Sequence, residues 1–117
     1  MILVGNDIVE IDKIRKLILR YNSKFLIKIF SKNELDFCRR RLNPEIHLAG
    51  RFAGKEAVKK ILLQLKEKPI PLKNIEINRK INGPPRVYLD QELQNNIQLS
   101  ISHTNYYATA VAILNII

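Results

Sequence analysis

The sequence has little of several residues on which common sites and structures depend. A single cysteine, Cys38, excludes an intrachain disulfide, and no Cys/His spacing typical of a zinc site occurs. No apolar run approaches the ~20 residues needed to span a bilayer. The opening segment carries no basic stretch before its apolar run, which argues against a secretory signal. We therefore expect a cytoplasmic protein.

Several nucleotide-binding and hydrolase motifs are also missing. The chain has only four glycines, and they form neither a phosphate loop nor a G-x-G-x-x-G dinucleotide fingerprint. A G-x-S-x-G nucleophile elbow is absent as well. These absences argue against P-loop NTPases, Rossmann dehydrogenases and α/β-hydrolases.

Acidic residues are scarce relative to basic ones. Eleven Asp and Glu stand against twenty Lys and Arg, which gives a formal charge of +9 at pH 7. Such a surface attracts polyanions, whether nucleic acid, anionic lipid, a phosphorylated metabolite or an acidic protein. The alternative explanation of the positive charge is a general bias of the composition towards Ile, Lys and Asn, in which individual lysines bind no partner.

The 117 residues contain no internal repeat, low-complexity tract or Gly/Ser linker, so we expect one domain over residues 1–117. Periodicity predicts a strand over 2–9, kinked at Gly5-Asn6-Asp7, and a helix that begins at Ile11. Ser31 and Glu34 form a capping box before a short basic helix over 35–42. Pro44 begins the longest helix, which runs to about residue 65.

The second half of the chain reads mainly as strands. Runs over 74–79 and 86–89 flank an Asn-Gly-Pro-Pro turn and predict a hairpin, and a short helix is expected over 91–96. Two further strands are expected over 97–102 and 107–116. The last is apolar on both faces, so it is either central in a sheet or covered by another chain. Together these elements predict an α+β fold with a mainly antiparallel sheet packed on the long helix.

The long helix carries charged residues in its apolar stripe. Glu56 and Lys60 lie one turn apart on that stripe, where burial is costly unless the charges are paired or bind a ligand. The alternative is an exposed i, i+4 ion pair worth about 0.2–0.5 kcal/mol. The apolar members of the stripe are Ala49, Phe52, Ala53 and Leu63. A cationic flank is expected beside it from Arg51, Lys55 and Lys59.

Asp7 is a second unusual residue, because it interrupts strongly apolar neighbours. It is either a turn or capping residue or, with Glu56, the protein share of a magnesium site completed by a polyphosphate. Residues 100–104, Ser-Ile-Ser-His-Thr, offer hydroxyls, an imidazole and loop amides as a phosphate cradle. His47 has no chemical context and is predicted to be a surface residue.

These segments together resemble the holo-acyl-carrier-protein synthase family, the short group of phosphopantetheinyl transferases. Residues 5–11 are similar to its G-x-D-I-x-x-I pattern, and residues 50–60 to its G-R-F-A-x-K-E-A-x-x-K signature. Residues 82–85 resemble its N-G-x-P turn, and residues 100–104, followed by 107–110, resemble its S-I-S-H-T segment and small-residue tail. The blocks occur in the family's order across nearly the whole chain.

The resemblance implies transfer of 4′-phosphopantetheine from coenzyme A to a serine of an apo acyl carrier protein, with release of 3′,5′-ADP, in fatty acid biosynthesis. By it, Asp7 and Glu56 hold Mg²⁺, and Glu56 and Lys60 are catalytic, with Glu56 or a metal-bound water as base. The implied coenzyme contacts are Arg51, Lys55, Lys60, Gly83, Pro84, Ser102 and His103. The implied contacts to the acidic carrier protein are Lys13, Arg15, Lys16 and Arg20. Relatives form homotrimers with shared active sites.

The chain departs from the family's pattern in two places. Gly54 replaces the usual alanine, at a helix-propensity cost of about 1 kcal/mol. Residues 62–67 contain no glycine where relatives often have a glycine-rich loop, so the pantetheine channel is expected to have a different shape.

Two alternatives lie outside this family. One is a small basic nucleic-acid-binding module, which has the right charge but lacks an aromatic RNA-stacking motif. The other is a structural subunit with a helical ion pair, for which no magnesium dependence is expected.

Overall fold

Helices dominate the first half of the chain and strands the second, in a computed structural model that describes residues 1–21 and 23–116. The first half contains β1 (Ile2–Glu10), α1 (Ile11–Tyr21), α2 (Ser23–Ile29), α3 (Lys32–Arg39) and α4 (Pro44–Gln64). A 3₁₀ turn (Leu72–Asn74) leads into β2 (Ile75–Asn78), β3 (Arg86–Leu89), β4 (Glu92–Leu93), β5 (Ile97–His103) and β6 (Tyr107–Asn115). No helix within the described ranges is long and apolar enough to cross a bilayer.

The strands form two antiparallel three-stranded sheets, ordered β1-β6-β5 and β2-β3-β4. The predicted α+β class, the hairpin of β2 and β3 and the long helix are confirmed. The capping box is also confirmed, because Ser31 Oγ accepts from the Glu34 amide and Glu34 Oε1 accepts from the Ser31 amide. Strand β6 is the central strand of its sheet, as one of the two predictions for it requires. The sequence patterns do not predict α2.

Two local predictions are wrong. Strand β1 has no kink, since Gly5 and Asp7 keep regular register with Ala112 and Ala110 of β6. The helix expected over 91–96 is absent, because Asp90 and Gln91 have φ values of 47° and 72°. Two successive residues in the left-handed region favour a tight hairpin turn, which here leads into β4.

Gly5 allows β1 to lie directly against the backbone of α4. A Cβ atom at this position would stand 2.0 Å from the carbonyl oxygen of Ala57. The strand's free edge is also bonded to the helix, because Gln64 Nε2 donates to the Val4 carbonyl (2.9 Å) and Lys60 Nζ donates to that of Asn6 (2.8 Å). These bonds occupy carbonyl groups that an edge strand otherwise exposes.

The sheet of β1, β6 and β5 has a buried and an exposed face. Alanines alternate along the inner face of β6 and pack towards α4, where they are almost fully buried. The outer face carries exposed aliphatic side chains on β1 and β6. They are Ile2, Val4, Ile8, Val111 and Ile113.

A fully buried ion pair joins Lys55 and Glu34 in the core. Lys55 is 0% exposed, and its ammonium contacts Glu34 and donates to the carbonyl oxygens of Leu72 (2.9 Å) and Ile75 (2.6 Å). Glu34 also accepts from the Ile77 amide at 2.8 Å. Burial raises the pKa of Glu34 and lowers the pKa of Lys55, against the attraction of each for the other. The prediction that Lys55 belongs to an accessible cationic flank is therefore wrong.

Substitution of Gly5 tests the contact between β1 and α4. Gly5→Ala is expected to lower the free energy of unfolding by about 3 kcal/mol or more, because both clashing groups are backbone atoms. Gly54→Ala is the matched control, since the nearest neighbour of its Cβ would be the flexible end of Leu99 at 3.2 Å, and Ile77 and Ile101 would lie at ordinary contact distances of 3.5 and 3.6 Å. It should stay within about 1 kcal/mol of the wild type in urea unfolding, given the helix-propensity gain. Equal stability of the two variants would contradict this contact.

Removing one member of the buried pair should be costly. Lys55→Met leaves the Glu34 carboxylate without its cation and is expected to destabilise the fold by about 3–5 kcal/mol in denaturant unfolding. Lys59→Met removes a partly exposed charge from the same helix and should change stability by no more than about 0.5 kcal/mol. A Lys55→Met protein as stable as the Lys59→Met protein would show that the pair does not hold the core together.

Candidate active site

Asp7 and Glu56 line one cavity of about 370 Å³ between β1, α1 and α4. Asp7 points inward from β1, with its side chain 19% exposed, and Glu56 is half-buried on α4. Glu10 and Lys13 contribute further charge to the same cavity, and Phe52 supplies part of its apolar wall. The two carboxylates expected to converge from distant parts of the sequence are therefore neighbours of one open space.

Lys60 lies at the edge of this pair. Its ammonium is 2.8 Å from the Asn6 carbonyl oxygen and 3.4 Å from Asp7 Oδ1, and its side chain is 48% exposed. Within the described residues its ion pair is with Asp7, so the simple alternative of a helical pair with Glu56 is wrong. Leu63, expected on the same apolar stripe, is exposed.

The donors in this cavity suit magnesium better than zinc. Among residues 1–21 and 23–116, no three His, Cys, Asp or Glu side chains are grouped closely enough to hold a metal ion by themselves. Magnesium commonly takes only one or two carboxylates from a protein and completes its shell with water and substrate phosphate oxygens. Asp7 and Glu56, both carboxylates and both at an open cavity, fit that requirement.

A second cavity of about 390 Å³ lies between α4, β2 and β5. Arg51 lines it and is only 6% exposed, and its Nε atom is buried without a hydrogen-bond partner. Arg79, His47 and His103 line the same cavity, and the guanidinium groups of Arg51 and Arg79 make it positively charged. Such a space is suited to an anionic ligand.

His47 is a member of this second cavity, and the prediction of a surface residue without context is wrong. The centroids of its ring and the His103 ring are 6.5 Å apart. Burial is the largest cause that lowers the pKa of His47, followed by the charges of Arg51 and Arg41. Both effects favour the neutral imidazole.

The predicted phosphate cradle at residues 100–104 is divided by the structure. Thr104 Oγ1 accepts hydrogen bonds from the amides of Tyr106 and Tyr107, both at 3.0 Å, so it organises the turn between β5 and β6. Ser100 and His103 line the second cavity, whereas Ser102 is exposed opposite Thr109 and lines neither cavity. The Thr104 amide likewise donates to the Tyr107 carbonyl at 2.8 Å, so these three amides are used inside the turn and not for a phosphate.

The turn after β2 also contributes to the second cavity. Asn82 adopts a φ of 61°, and the Gly83 amide donates to the Lys80 carbonyl at 2.9 Å. This turn brings Pro84 and Pro85 to the cavity wall, while Gly83 itself does not line it.

The basic residues of α1 are exposed beside the first cavity. Lys13 lines that cavity, and Arg15 and Lys16 both pair with Asp12, at 3.2 and 3.1 Å. Arg20 lies over the Tyr21 ring. The helix therefore presents a basic surface next to Asp7 and Glu56.

The two cavities share no lining residue and lie on opposite faces of α4. At 3.6 residues per turn, Phe52 and Glu56 project from one face, while Gly50 and Arg51 project from the other. The structure thus divides the predicted site residues: Asp7, Glu56 and Lys13 line the first cavity, and Arg51, Pro84 and His103 line the second. Lys55, Gly83 and Ser102 line neither.

Cys38 is buried and lines neither of the two cavities. Burial raises the pKa of the Cys38 thiol to about 11, so it is no nucleophile at neutral pH. The charged or ionisable cavity residues that sequence reasoning missed include His47 and Arg79 in the second cavity and Glu10 in the first. His47 had a usable signal, because it precedes Arg51 by four residues and so shares its helix face.

The chain is similar to known proteins over nearly its full length. Residues 3–112 match the family described as the 4′-phosphopantetheinyl transferase superfamily. The holo-[acyl-carrier-protein] synthase of Chlamydia felis (strain Fe/C-56) is 46% identical over 115 residues, which cover 94% of this chain and 93% of the relative.

The fold of the chain is also similar to that of solved structures. The Chronobacterium ammoniagenes ACPS–CoA complex matches with a TM-score of 0.80 and 29% identity, covering 98% of this chain and 97% of that one. The Helicobacter pylori holo-[acyl-carrier-protein] synthase in complex with coenzyme A matches with a TM-score of 0.80 and 28% identity, covering 97% and 100%. The chain belongs to the 4′-phosphopantetheinyl transferase superfamily, within which it is similar to the holo-[acyl-carrier-protein] synthases.

Proposed function

We propose that residues 1–117 form one enzyme domain that transfers 4′-phosphopantetheine from coenzyme A to a serine of an apo acyl carrier protein. The products are the holo carrier protein and 3′,5′-ADP. The observation that carries this proposal is the shared cavity of Asp7 and Glu56, with the ammonium of Lys60 beside Asp7. Membership of the superfamily supplies the reaction type.

Asp7 and Glu56 would hold a magnesium ion at their cavity. When bound, the ion neutralises charge on the diphosphate of coenzyme A. Lys60, half exposed and 3.4 Å from Asp7 Oδ1, is proposed to contact an oxygen of the same diphosphate. These residues mainly position the phosphates and balance their charge, as phosphoryl transfer requires.

The chemical step exchanges one phosphorus–oxygen bond for another. The serine oxygen of the carrier protein bonds to the pantetheine-side phosphorus, and the bond from that phosphorus to the ADP part breaks. The departing phosphate oxygen keeps the electron pair and is stabilised by Lys60. The proton of the serine hydroxyl must leave, and Glu56 is the candidate acceptor among this chain's own residues.

The second cavity is proposed to take the remaining part of the coenzyme. Arg51, His103 and Pro84 line it, and Gly83 lies in the turn that positions Pro84. Ser102 is exposed on the outer face of the sheet, away from both cavities. It could therefore contact only a coenzyme that is bound to a neighbouring protomer. Lys55 is left out of the proposal because its ammonium is committed to Glu34 in the core.

The carrier protein is proposed to dock on α1, the basic helix beside the Asp7–Glu56 cavity. An acidic carrier would be attracted by the formal +9 charge of the chain. Its proposed contacts on α1 are Lys13, Arg15, Lys16 and Arg20. Lys13 lines the cavity itself, so docking here would bring the carrier serine close to the diphosphate.

A homotrimer with active sites shared between neighbours is the proposed assembly. Two observations support it: the carboxylates proposed to hold magnesium and the residues proposed to bind the coenzyme line two separate cavities of one chain, and the outer sheet face is apolar and exposed. Contact between neighbours through that face would remove the aliphatic side chains from water and join the first cavity of one protomer to the second cavity of the next.

The enzyme is proposed to act in the cytoplasm, in fatty acid biosynthesis, where acyl carrier proteins are used. A nucleic-acid-binding module would explain the charge but not the paired carboxylates at an open cavity. One assay separates the proposals: incubation with coenzyme A, magnesium and apo carrier protein, followed by mass measurement of the carrier.

Loss of Glu56 should abolish this transfer. We expect Glu56→Ala to lower kcat by ~10³-fold or more, the scale seen when a group that balances transition-state charge is removed. Glu67→Ala, which removes an exposed carboxylate just beyond α4, is the control and should transfer normally. Near-normal transfer by folded Glu56→Ala protein in excess magnesium would contradict the assignment.

Subunit mixing tests whether the sites are shared. Glu56→Ala and His103→Ala proteins should each be inactive alone, because each lacks one of the two cavities' functional groups. After unfolding and refolding together, random assortment in a cyclic trimer should restore about one quarter of wild-type activity. Mixed trimers, verified by mass, that stay inactive would show that each chain builds its own complete site.

A further inference from the structure

The ring of Phe37, on α3, gathers three arginines from different parts of the chain. The guanidinium carbon of Arg51 is 4.0 Å from the ring centroid, that of Arg41 is 4.1 Å and that of Arg79 is 5.5 Å. Arg51 comes from α4, Arg41 from the segment after α3 and Arg79 from the end of β2. We call Phe37 and these three residues the arginine cluster.

The arginine cluster is not neutralised by acidic residues. Among residues 1–21 and 23–116, no carboxylate lies within ion-pair distance of any of the three guanidinium groups. Three like charges around one ring repel each other, and Arg51 is in addition nearly buried with an unpaired Nε atom. Cation–π attraction to Phe37, about 0.5–2 kcal/mol for each guanidinium, offsets part of this cost.

The arginine cluster opens into the second cavity. Arg51 and Arg79 both line that cavity, together with His47. The His47 ring lies edge-on to Phe37, with centroids 6.3 Å apart, and so continues the row of rings towards His103. A planar guanidinium held against an aromatic ring keeps its N–H donors directed sideways, where they can bond phosphate oxygens.

We propose that Phe37 is a positioning residue, which holds Arg51 and Arg79 in place for a phosphate group of the coenzyme. The inference rests on the proposed function and adds a residue that touches no substrate itself. Two phosphate groups of coenzyme A could supply the ligand: the 3′-phosphate of the ribose and the diphosphate. The diphosphate is already assigned to the cavity of Asp7 and Glu56, which favours the 3′-phosphate.

The test compares Phe37→Leu with Phe37→Tyr. Leucine removes the ring face, so KM for coenzyme A should rise about tenfold, the equivalent of one lost cation–π contact of about 1.4 kcal/mol. KM for carrier protein and kcat should stay within about twofold of wild type, because the first cavity is untouched. Tyrosine keeps the ring face at a partly exposed position and should restore the wild-type KM.

Two further measurements identify the phosphate and exclude a general loss of structure. With 3′-dephospho-coenzyme A, the difference between Phe37→Leu and wild type should vanish if the 3′-phosphate is the ligand, and persist if the diphosphate is. Arg79→Gln, at an exposed residue, should raise KM for coenzyme A selectively even if Phe37→Leu does not fold. The Phe37→Leu/Arg79→Gln double variant should raise KM for coenzyme A by less than the product of the two single-variant increases, because the two residues act together.

The inference is overturned if Phe37→Leu binds both coenzymes as wild type does, or if it lowers kcat and raises both KM values together. It is also overturned if Arg79→Gln leaves KM for coenzyme A unchanged. A wild-type protein that transfers no phosphopantetheine at all would instead refute the proposed function, so the two failures are distinguishable.

Discussion

The contact between β1 and α4 at Gly5 is the constraint on which the rest of the site depends. Successive strand residues alternate between faces, so Gly5 and Asp7 point the same way, towards the helix. Glu56 precedes Ala57, whose carbonyl oxygen leaves no room for a Cβ atom at position 5. The lack of a side chain at one residue therefore fixes the separation between the strand that carries Asp7 and the helix that carries Glu56.

Helix α4 serves three purposes because its sides face different surroundings. One side packs on the alanines of β6, and Lys55 is buried with Glu34, which ties the helix to α3 and β2. Two other sides face the two cavities. Arg51 and Glu56 stand at the walls of the two cavities, where burying a charge is costly unless it meets a ligand, while Lys60 is half exposed beside Asp7.

Local signals were sufficient for much of the fold. The capping box, the hairpin of β2 and β3 and the helix that begins at Pro44 each depend on residues within a few positions of one another. Asp7 and Glu56 could be connected because each is a carboxylate among apolar neighbours, which is unusual wherever it occurs. The short helix expected over 91–96 failed because two left-handed residues, Asp90 and Gln91, leave no mark in the apolar periodicity.

The rest could not be predicted because it depends on distant partners. Nothing near Lys55 in the sequence indicates that its ammonium meets Glu34 and two backbone carbonyls across the core. The arginine cluster likewise depends on Phe37, Arg51 and Arg79, which only the packing of α3, α4 and β2 brings together. Spacing along a helix shows which residues share a face, but not what that face meets.

The most direct measurement is binding of Mn²⁺, in place of Mg²⁺, to the protein in the presence of coenzyme A, followed by electron paramagnetic resonance of the free ion. If Asp7 and Glu56 share one ion with the diphosphate, Asp7→Asn and Glu56→Gln should each weaken binding about tenfold or more, since each removes one of two protein carboxylates. An Asp7→Asn or Glu56→Gln protein that is folded and binds the ion as tightly as wild type would contradict the site.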